Sequence, residues 1–235
     1  MKKLIFVVAP YTYFNIKSDD NRPAPMSFPL GVLNLSATVK KELPLCNIDL
    51  VDLNYYNQEE ARTPEEIVEA AFKNIKKDQG GEDYVFALSI MFSCSWDSSV
   101  LLVEYMRRKY PRSTIVAGGV HATYTYKHIL ENLAVDYVVR GEGEISLPEL
   151  MKNIEDKKSI PKIQGVFDKN KALSMDYKES SKILEINDVP DPDYSLLEGK
   201  IEYFDYKSHV SVNVVGENKK RKWAQLITSR GCPFS

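Results

Sequence analysis

Residues 115–144, IVAGGVHATYTYKHILENLAVDYVVRGEGE, constrain the fold of this chain more than any other stretch. Ile115, Val116 and Ala117 form a short apolar run that stops at Gly118 and Gly119. Tyr137, Val138 and Val139 form a second that stops at Arg140, Gly141, Glu142, Gly143 and Glu144. Apolar runs ended by glycine, with a helical pattern between them, mark parallel strands of an α/β domain. Ligands of such sheets sit beyond the carboxyl ends of the strands. Two glycine turns at neighbouring strand ends therefore define a place where backbone can come close to a large ligand.

The rest of the first 158 residues repeats the pattern. Residues 4–9 are continuously apolar, as for a strand buried on both faces. Met1-Lys2-Lys3 ahead of them imitates a signal peptide, but the run is short and Pro10 ends it. A long loop with Pro23, Pro25 and Pro29 follows, then a helix over 30–42 and a strand over 48–53. Thr63, Pro64 and Glu66 spell a capping box with proline at the first helical position. Residues 84–89 predict a third strand and 96–110 a helix; 144–156 predict the last helix of the unit. Five β-α units imply a doubly wound, flavodoxin-like, five-stranded parallel sheet in the order 2-1-3-4-5. Beyond it, residues 162–167 and 172–175 read as a small β-hairpin extension around Asp168-Lys169-Asn170-Lys171. The proline-rich 188–194 reads as a linker. The expected division is 1–158, 159–200 and 201–235.

Composition narrows the partners. The formal net charge is -2, and Lys219-Lys220-Arg221-Lys222 reads as a solvated turn, so nucleic acid is not the expected partner. No stretch approaches the roughly 18 apolar residues of a membrane helix. Cys46, Cys94 and Cys232 are widely spaced, which is no disulfide framework and suits a reducing, cytoplasmic setting. The turn after the first strand, Pro10-Tyr11-Thr12-Tyr13, lacks the glycines of a dinucleotide or P-loop site. Ser89 stands where a phosphoacceptor domain needs aspartate. Thr12 alone is poor support for a flavin phosphate loop.

Four motifs and their order point further. Gly118-Gly119-Val120-His121-Ala122-Thr123, residues 135–144, Val189-Pro190-Asp191-Pro192-Asp193-Tyr194, and Thr228-Ser229-Arg230-Gly231-Cys232-Pro233-Phe234 closely resemble those of the cobalamin-binding radical SAM enzymes. Pro29-Leu30-Gly31 at the first helix is also similar to that family. The resemblance implies a cobalamin-binding domain joined to a radical SAM domain that holds a [4Fe-4S] cluster and S-adenosylmethionine. The parent would be a methyltransferase or a rearrangement or cyclisation enzyme, acting on an unknown small molecule or peptide. Cys232 matches the first of three cluster cysteines, and the second would fall just past Ser235. One thiolate cannot hold such a cluster, so the expectation is a non-catalytic cobalamin-binding fragment whose partner is the C-terminal radical SAM domain. The alternative is a flavodoxin-like electron carrier or a non-enzymatic binding module for another ligand.

The resemblance also assigns site residues. Gly118 and Gly119 are either a plain tight turn or the floor of the pocket for the cofactor's nucleotide tail, where a Cβ would meet the ligand; Gly141 and Gly143 read likewise. Arg140, Glu142 and Glu144 either fix their loop by ion pairs or touch the cofactor or the missing catalytic domain. Ser89 and Ser93 either hydrogen-bond the nucleotide loop or cap a helix. Tyr11, Tyr13, Phe14, Met91 and Phe92 either face the corrin or belong to the core, with Thr12 beside them. His121 is expected as a hydrogen-bonding wall residue and His128 as exposed. Cobalamin proteins that supply an axial histidine do so after strand one, and this chain has no histidine before His121. Cobalamin is therefore expected with its own base dissociated and no protein imidazole in its place.

Overall fold

The computed structural model describes residues 2–11, 28–56, 63–73, 75, 84–156, 163–174 and 185–200. In chain order these form β1 (Leu4–Val8), α1 (Leu30–Glu42), β2 (Ile48–Asp52), α2 (Leu53–Tyr56), α3 (Pro64–Phe72), β3 (Val85–Ser89), α4 (Trp96–Lys109), β4 (Thr114–Gly118), α5 (Val120–Asn132), β5 (Tyr137–Val139), α6 (Ser146–Glu155), β6 (Val166–Phe167) and α7 (Lys169–Ser174). Single 3₁₀ turns occupy Ser93–Ser95, Ile186–Asp188 and Tyr194–Leu197.

The sheet runs β2-β1-β3-β4-β5-β6, the first five strands parallel. All five residues of β1 are buried, because the strand is central and helices cover both faces. Ile5, Val7, Phe86, Leu88, Ile115 and Ala117 point to the face covered by α3, α4 and α5. Leu4, Phe6, Val8, Val85, Ala87 and Val116 point to the face covered by α1 and α6. Each fully buried large apolar side chain contributes about 1.5–3 kcal/mol of transfer free energy. The capping box of α3 is formed: Glu66 N–H donates to Thr63 Oγ1 at 3.2 Å and Thr63 N–H to Glu66 Oε2 at 3.0 Å. Lys40 and Lys41 sit in the last turn of α1, where they complement its dipole.

The expected hairpin beyond the five-stranded unit is not formed. β6 joins the same sheet antiparallel to β5, pairing Val138 with Phe167 and Val139 with Val166. The next segment is instead a helix, and Asp168 caps it. Its Oδ1 accepts from Lys171 N–H at 2.7 Å and its carbonyl from Ala172 N–H at 3.0 Å. Lys171 Nζ then donates to the Ile163 and Val166 carbonyls at 3.0 and 2.9 Å. β6 thereby covers the edge that β5 would otherwise present.

The segment 189–194 is irregular, as its prolines require, yet it docks on α1. Asp193 Oδ2 accepts from Ser36 Oγ at 2.6 Å and Lys40 Nζ at 2.7 Å, and Oδ1 accepts from Ser195 Oγ at 2.6 Å. The Asp193 N–H donates to the Leu33 carbonyl at 3.1 Å. Tyr194 meets Phe28 edge-on at 5.9 Å, and Leu197 is fully buried. Burial raises the Asp193 carboxyl, but the hydrogen bonds from Lys40, Ser195 and Ser36 outweigh it and hold the group below its usual range. A carboxyl depressed on folding stabilises above its unfolded value of about 3.9 and loses that contribution as pH falls through the lower folded value. Asp193→Asn is expected to cost about 1–2 kcal/mol at pH 7, since solvent on the Lys40 side screens the ion pair. The deficit should shrink once the pH is below the usual carboxylate range. Urea unfolding of both proteins at pH 7 and pH 3 checks this; an equal deficit at both values would refute the latch as an ionic one.

Candidate functional site

The strand register brings four carboxyl ends to one edge. Val8 lies opposite both Asp52 and Ser89, and Ser89 opposite Gly118. Tyr11, just past β1, is held there from two sides. Its N–H donates to Asn54 Oδ1 at 2.8 Å, and Asn54 N–H and Nδ2 both donate to Asp52 Oδ1 at 2.9 Å. From the other side, Ser95 Oγ donates to the Pro10 carbonyl at 2.6 Å and Cys94 Sγ to the Tyr11 carbonyl at 3.1 Å. The Tyr11 ring meets Phe92 edge-on at 5.4 Å. Burial, and then the Asp52 carboxylate, push the Tyr11 phenol far above its ordinary range, so it stays neutral.

The glycine turns are built differently from one another. Gly119 has φ 100° and ψ 178°, a region almost exclusive to glycine. A Cβ there would lie 2.7 Å from the Ile90 carbonyl oxygen. Of the two readings, tight turn or pocket floor, this contact supports the first at Gly119, because the β3–α4 backbone already occupies the space. Ile90 is itself fixed, since its N–H donates to the Gly118 carbonyl at 2.8 Å and its carbonyl accepts from His121 N–H at 3.1 Å. At Gly118 a Cβ would make only ordinary contacts with Val139, the nearest at 3.9 Å. At Gly143 it would meet Leu35 Cδ2 at 2.9 Å, a flexible side-chain end. Gly141 has φ 90°, and its N–H donates to Thr123 Oγ1 at 3.0 Å. Arg140 donates from Nε to the Thr123 carbonyl at 3.3 Å and lies over the Tyr126 ring.

His121 follows the Gly118-Gly119 turn and faces the β3–α4 segment. Its Nδ1 is 3.1 Å from Ser93 Oγ, and its Nε2 is buried with no hydrogen-bond partner among the described residues. Burial, then the nearby His128, lower its pKa, so the ring is neutral around pH 7. Trp96 lies edge-on to His121 and packs its face near His128, with centroids 4.7 Å apart in the second pair. His128 is exposed, as expected. Large apolar groups also face out here: Phe92 is 49%, Val120 52% and Tyr124 77% exposed. Met91 is half-buried beside Phe92, and Ser93 is exposed. Glu142 is half-buried and Glu144 is buried.

The structure thus gathers Tyr11, Met91, Phe92, Ser93, Gly118, Gly119 and His121 with the segment 140–143 at the carboxyl edge. Thr12, Tyr13, Phe14 and Cys232 lie outside the described residues. Sequence reasoning missed Asn54, Thr123, Val120 and Tyr124. Only Asn54 carried a local signal, an Asp two residues earlier, which favours a side-chain turn. Among the described residues no three His, Cys, Asp or Glu side chains gather as a metal-binding group, and no helix is long and apolar enough to cross a membrane.

An edge with exposed apolar side chains, backbone held low by glycine and a partnerless imidazole nitrogen fits a broad, flat ligand bearing polar arms. The model of the B12 binding domain matches residues 27–151. The chain belongs to the B12-binding domain family. Its cofactor is cobalamin, and its sheet is the flavodoxin-like B12-binding fold. Cytidylyl-2-hydroxyethylphosphonate methyltransferase of Streptomyces wedmorensis is 23% identical over 235 aligned positions, covering 88% of this chain and 42% of that protein. The cobalamin-dependent S-adenosylmethionine radical enzyme OxsB, solved with aqua-cobalamin, superposes with a TM-score of 0.56 at 18% identity, covering 83% of this chain and 25% of that one. The radical S-adenosylmethionine methyltransferase TsrM of Kitasatospora setae, solved with cobalamin and a [4Fe-4S] cluster, gives 0.52 at 16% identity over 72% of this chain and 29% of that one. This B12-binding chain spans less than half the length of each of these relatives.

Proposed function

We propose that this chain is the cobalamin-holding part of a B12-dependent radical SAM enzyme, most simply a methyltransferase. The observation that carries the reading is the carboxyl edge itself, which brings together two positive-φ glycine turns and His121 with its partnerless Nε2. Phe92 and Val120 offer apolar contact to the corrin, with Met91 and Tyr11 behind them. Ser89, Ser93 and His121 would hydrogen-bond the amide or phosphate groups of the cofactor's arms, and Thr12 and Tyr13 are assigned to the same cofactor by the family resemblance. Bound cobalamin supplies a cobalt centre that can carry a methyl group. The neutral His121 both accepts and donates a hydrogen bond, holding an arm without adding charge. Its position after β4 and its bond to Ser93 support reading it as a wall residue of the pocket. No histidine precedes His121 in the sequence, so on this reading a bound cobalamin would meet no protein imidazole from the loop after β1 and would keep its own base dissociated.

The wider organisation follows the same reading. The sheet-bearing unit covers 1–158, the extension 159–200 returns to that sheet through β6 and docks on α1, and 201–235 opens the radical SAM domain. In the intact parent Cys232 would be the first ligand of a [4Fe-4S] cluster, which would supply the electron for cleaving S-adenosylmethionine, and the substrate would be a small molecule or peptide. Titration with hydroxocobalamin tests the core of this. A saturable, red-orange 1:1 complex is expected, with no comparable uptake of flavin mononucleotide. Electron paramagnetic resonance of the Co(II) form should lack nitrogen superhyperfine structure. Failure to retain cobalamin overturns the assignment, and a nitrogen pattern abolished by His121→Ala overturns the placement of His121.

A further inference from the structure

The two glycine turns of the site are not independent, and the residue that joins them is Thr123, on the first turns of α5. A threonine hydroxyl has one proton to give and lone pairs to receive. Here both are used across the site: Thr123 Oγ1 donates to the Gly119 carbonyl at 3.0 Å and accepts from the Gly141 N–H at 3.0 Å. The main chain of Thr123 repeats the connection, its N–H donating to the Gly119 carbonyl at 2.9 Å and its carbonyl accepting from Arg140 Nε at 3.3 Å. The Arg140 N–H in turn donates to the Gly165 carbonyl at 2.8 Å, so the tie reaches the β6 edge. Both turns hold glycines at positive φ, 100° at Gly119 and 90° at Gly141, and such backbone stays put only when its surroundings fix it. Hydroxyl bonding to the carbonyl four residues back also loosens helical geometry. Thr125 repeats it, donating to the His121 carbonyl at 2.7 Å, and α5 leaves helical geometry at Thr125, with φ -115° and ψ 20°.

We propose that Thr123 is a positioning residue for cobalamin: its hydroxyl clasps the Gly118-Gly119 and Gly141–Gly143 turns at one fixed separation, the width the cofactor's arm must enter. The inference rests on the carboxyl edge being the cobalamin site. Thr123→Val keeps the shape of the side chain and removes the clasp, leaving the Gly141 N–H without its acceptor. Thr123→Ser restores the hydroxyl without the methyl group.

Two measurements separate the clasp from the site. In the cobalamin-free chain, amide hydrogen exchange at Gly141 should quicken about tenfold or more in Thr123→Val, the effect of losing one well-formed hydrogen bond, and return in Thr123→Ser. Hydroxocobalamin affinity should fall about tenfold or more in Thr123→Val, equivalent to ~1.4 kcal/mol, and recover in Thr123→Ser, while circular dichroism stays that of the wild type. Should Thr123→Val not fold, Thr123→Ala replaces it in both measurements. Unchanged affinity in the folded variant overturns the proposal, as does loss of affinity that Thr123→Ser fails to rescue, since the methyl group would then be what matters. A wild-type chain that binds no cobalamin overturns the functional reading instead, and the Gly141 exchange rate alone then judges the clasp.

Discussion

Gly119→Val is expected to lower the stability of the fold severely, and to weaken cobalamin binding for that reason before any ligand contact is lost. Two costs combine. The backbone at φ 100° and ψ 178° is penalised by about 1–3 kcal/mol for any residue with a Cβ. The new Cβ would also lie 2.7 Å from the Ile90 carbonyl oxygen and 3.1 Å from its carbonyl carbon. That carbonyl cannot retreat cheaply, because it accepts the His121 N–H, and Ile90 is bonded back to Gly118. Overpacking against a fixed neighbour adds about 1–3 kcal/mol. The total, roughly 2–6 kcal/mol, is a large share of the ~5–15 kcal/mol that holds an ordinary domain together. Gly118→Ala is the matched control: its Cβ meets Val139 at no less than 3.9 Å, so its urea midpoint should stay near wild type. A Gly119→Val protein with a wild-type midpoint would show that the β3–α4 backbone yields here, and would return the explanation of this glycine to the ligand.

That glycine also shows what the sequence discloses and what it withholds. A glycine pair after an apolar run is legible as a turn at a strand end. What the missing Cβ makes room for is not legible, because Ile90 lies 29 positions earlier and reaches Gly119 only through the β3–β4 pairing. The parallel strands are readable for a simple reason: strands covered on both faces must be apolar throughout, as Leu4–Val8 is. The α3 capping box is readable because all its partners lie within four residues. Asp168-Lys169-Asn170-Lys171 is not readable in the same way. An aspartate ahead of polar residues serves a reverse turn or a helix cap equally well, and Ala172 decides between them by being buried against the α5 side of the sheet. At the site, Phe92 and His121 stand out as residue types in loops after strands. Thr123 and Asn54 do not, since their importance lies in partners that the fold brings from 18 and 43 residues away.

The second large effect lies at the opposite end of the sheet. In sequence Arg107 is one of three basic residues in the last turn of α4, where a favourable interaction with the helix dipole is its ordinary role. In the structure it is a fork joining three segments. Nε donates to the Ala134 carbonyl at 2.6 Å, Nη1 to the Ser113 carbonyl at 2.9 Å, and Nη2 to Asp136 Oδ2 at 2.7 Å. The same Asp136 oxygen accepts the Ile115 N–H at 2.7 Å, so the entries to β4 and β5 are tied together through one guanidinium. The Arg107 side chain is mostly shielded. Its removal takes the donor from two carbonyls and a carboxylate, and because Asp136 keeps the Ile115 N–H and is partly open to solvent the cost is about 1–3 kcal/mol. Arg107→Ala should therefore lower the urea midpoint clearly. Arg107→Lys should recover only part of the loss, because an ammonium is a point donor and cannot reproduce a planar three-way fork. Lys109→Ala, two residues on, is expected to change stability by no more than about 0.5 kcal/mol, since its pair with Glu69 is exposed on both sides at 3.4 Å. Cobalamin affinity of folded Arg107→Ala should match wild type, because the fork sits at the amino ends of β4 and β5 and the glycine turns at their carboxyl ends. Denaturant unfolding alongside hydroxocobalamin titration decides both halves. A loss of affinity at full folding would mean that strain at one end of these strands reaches the turns at the other.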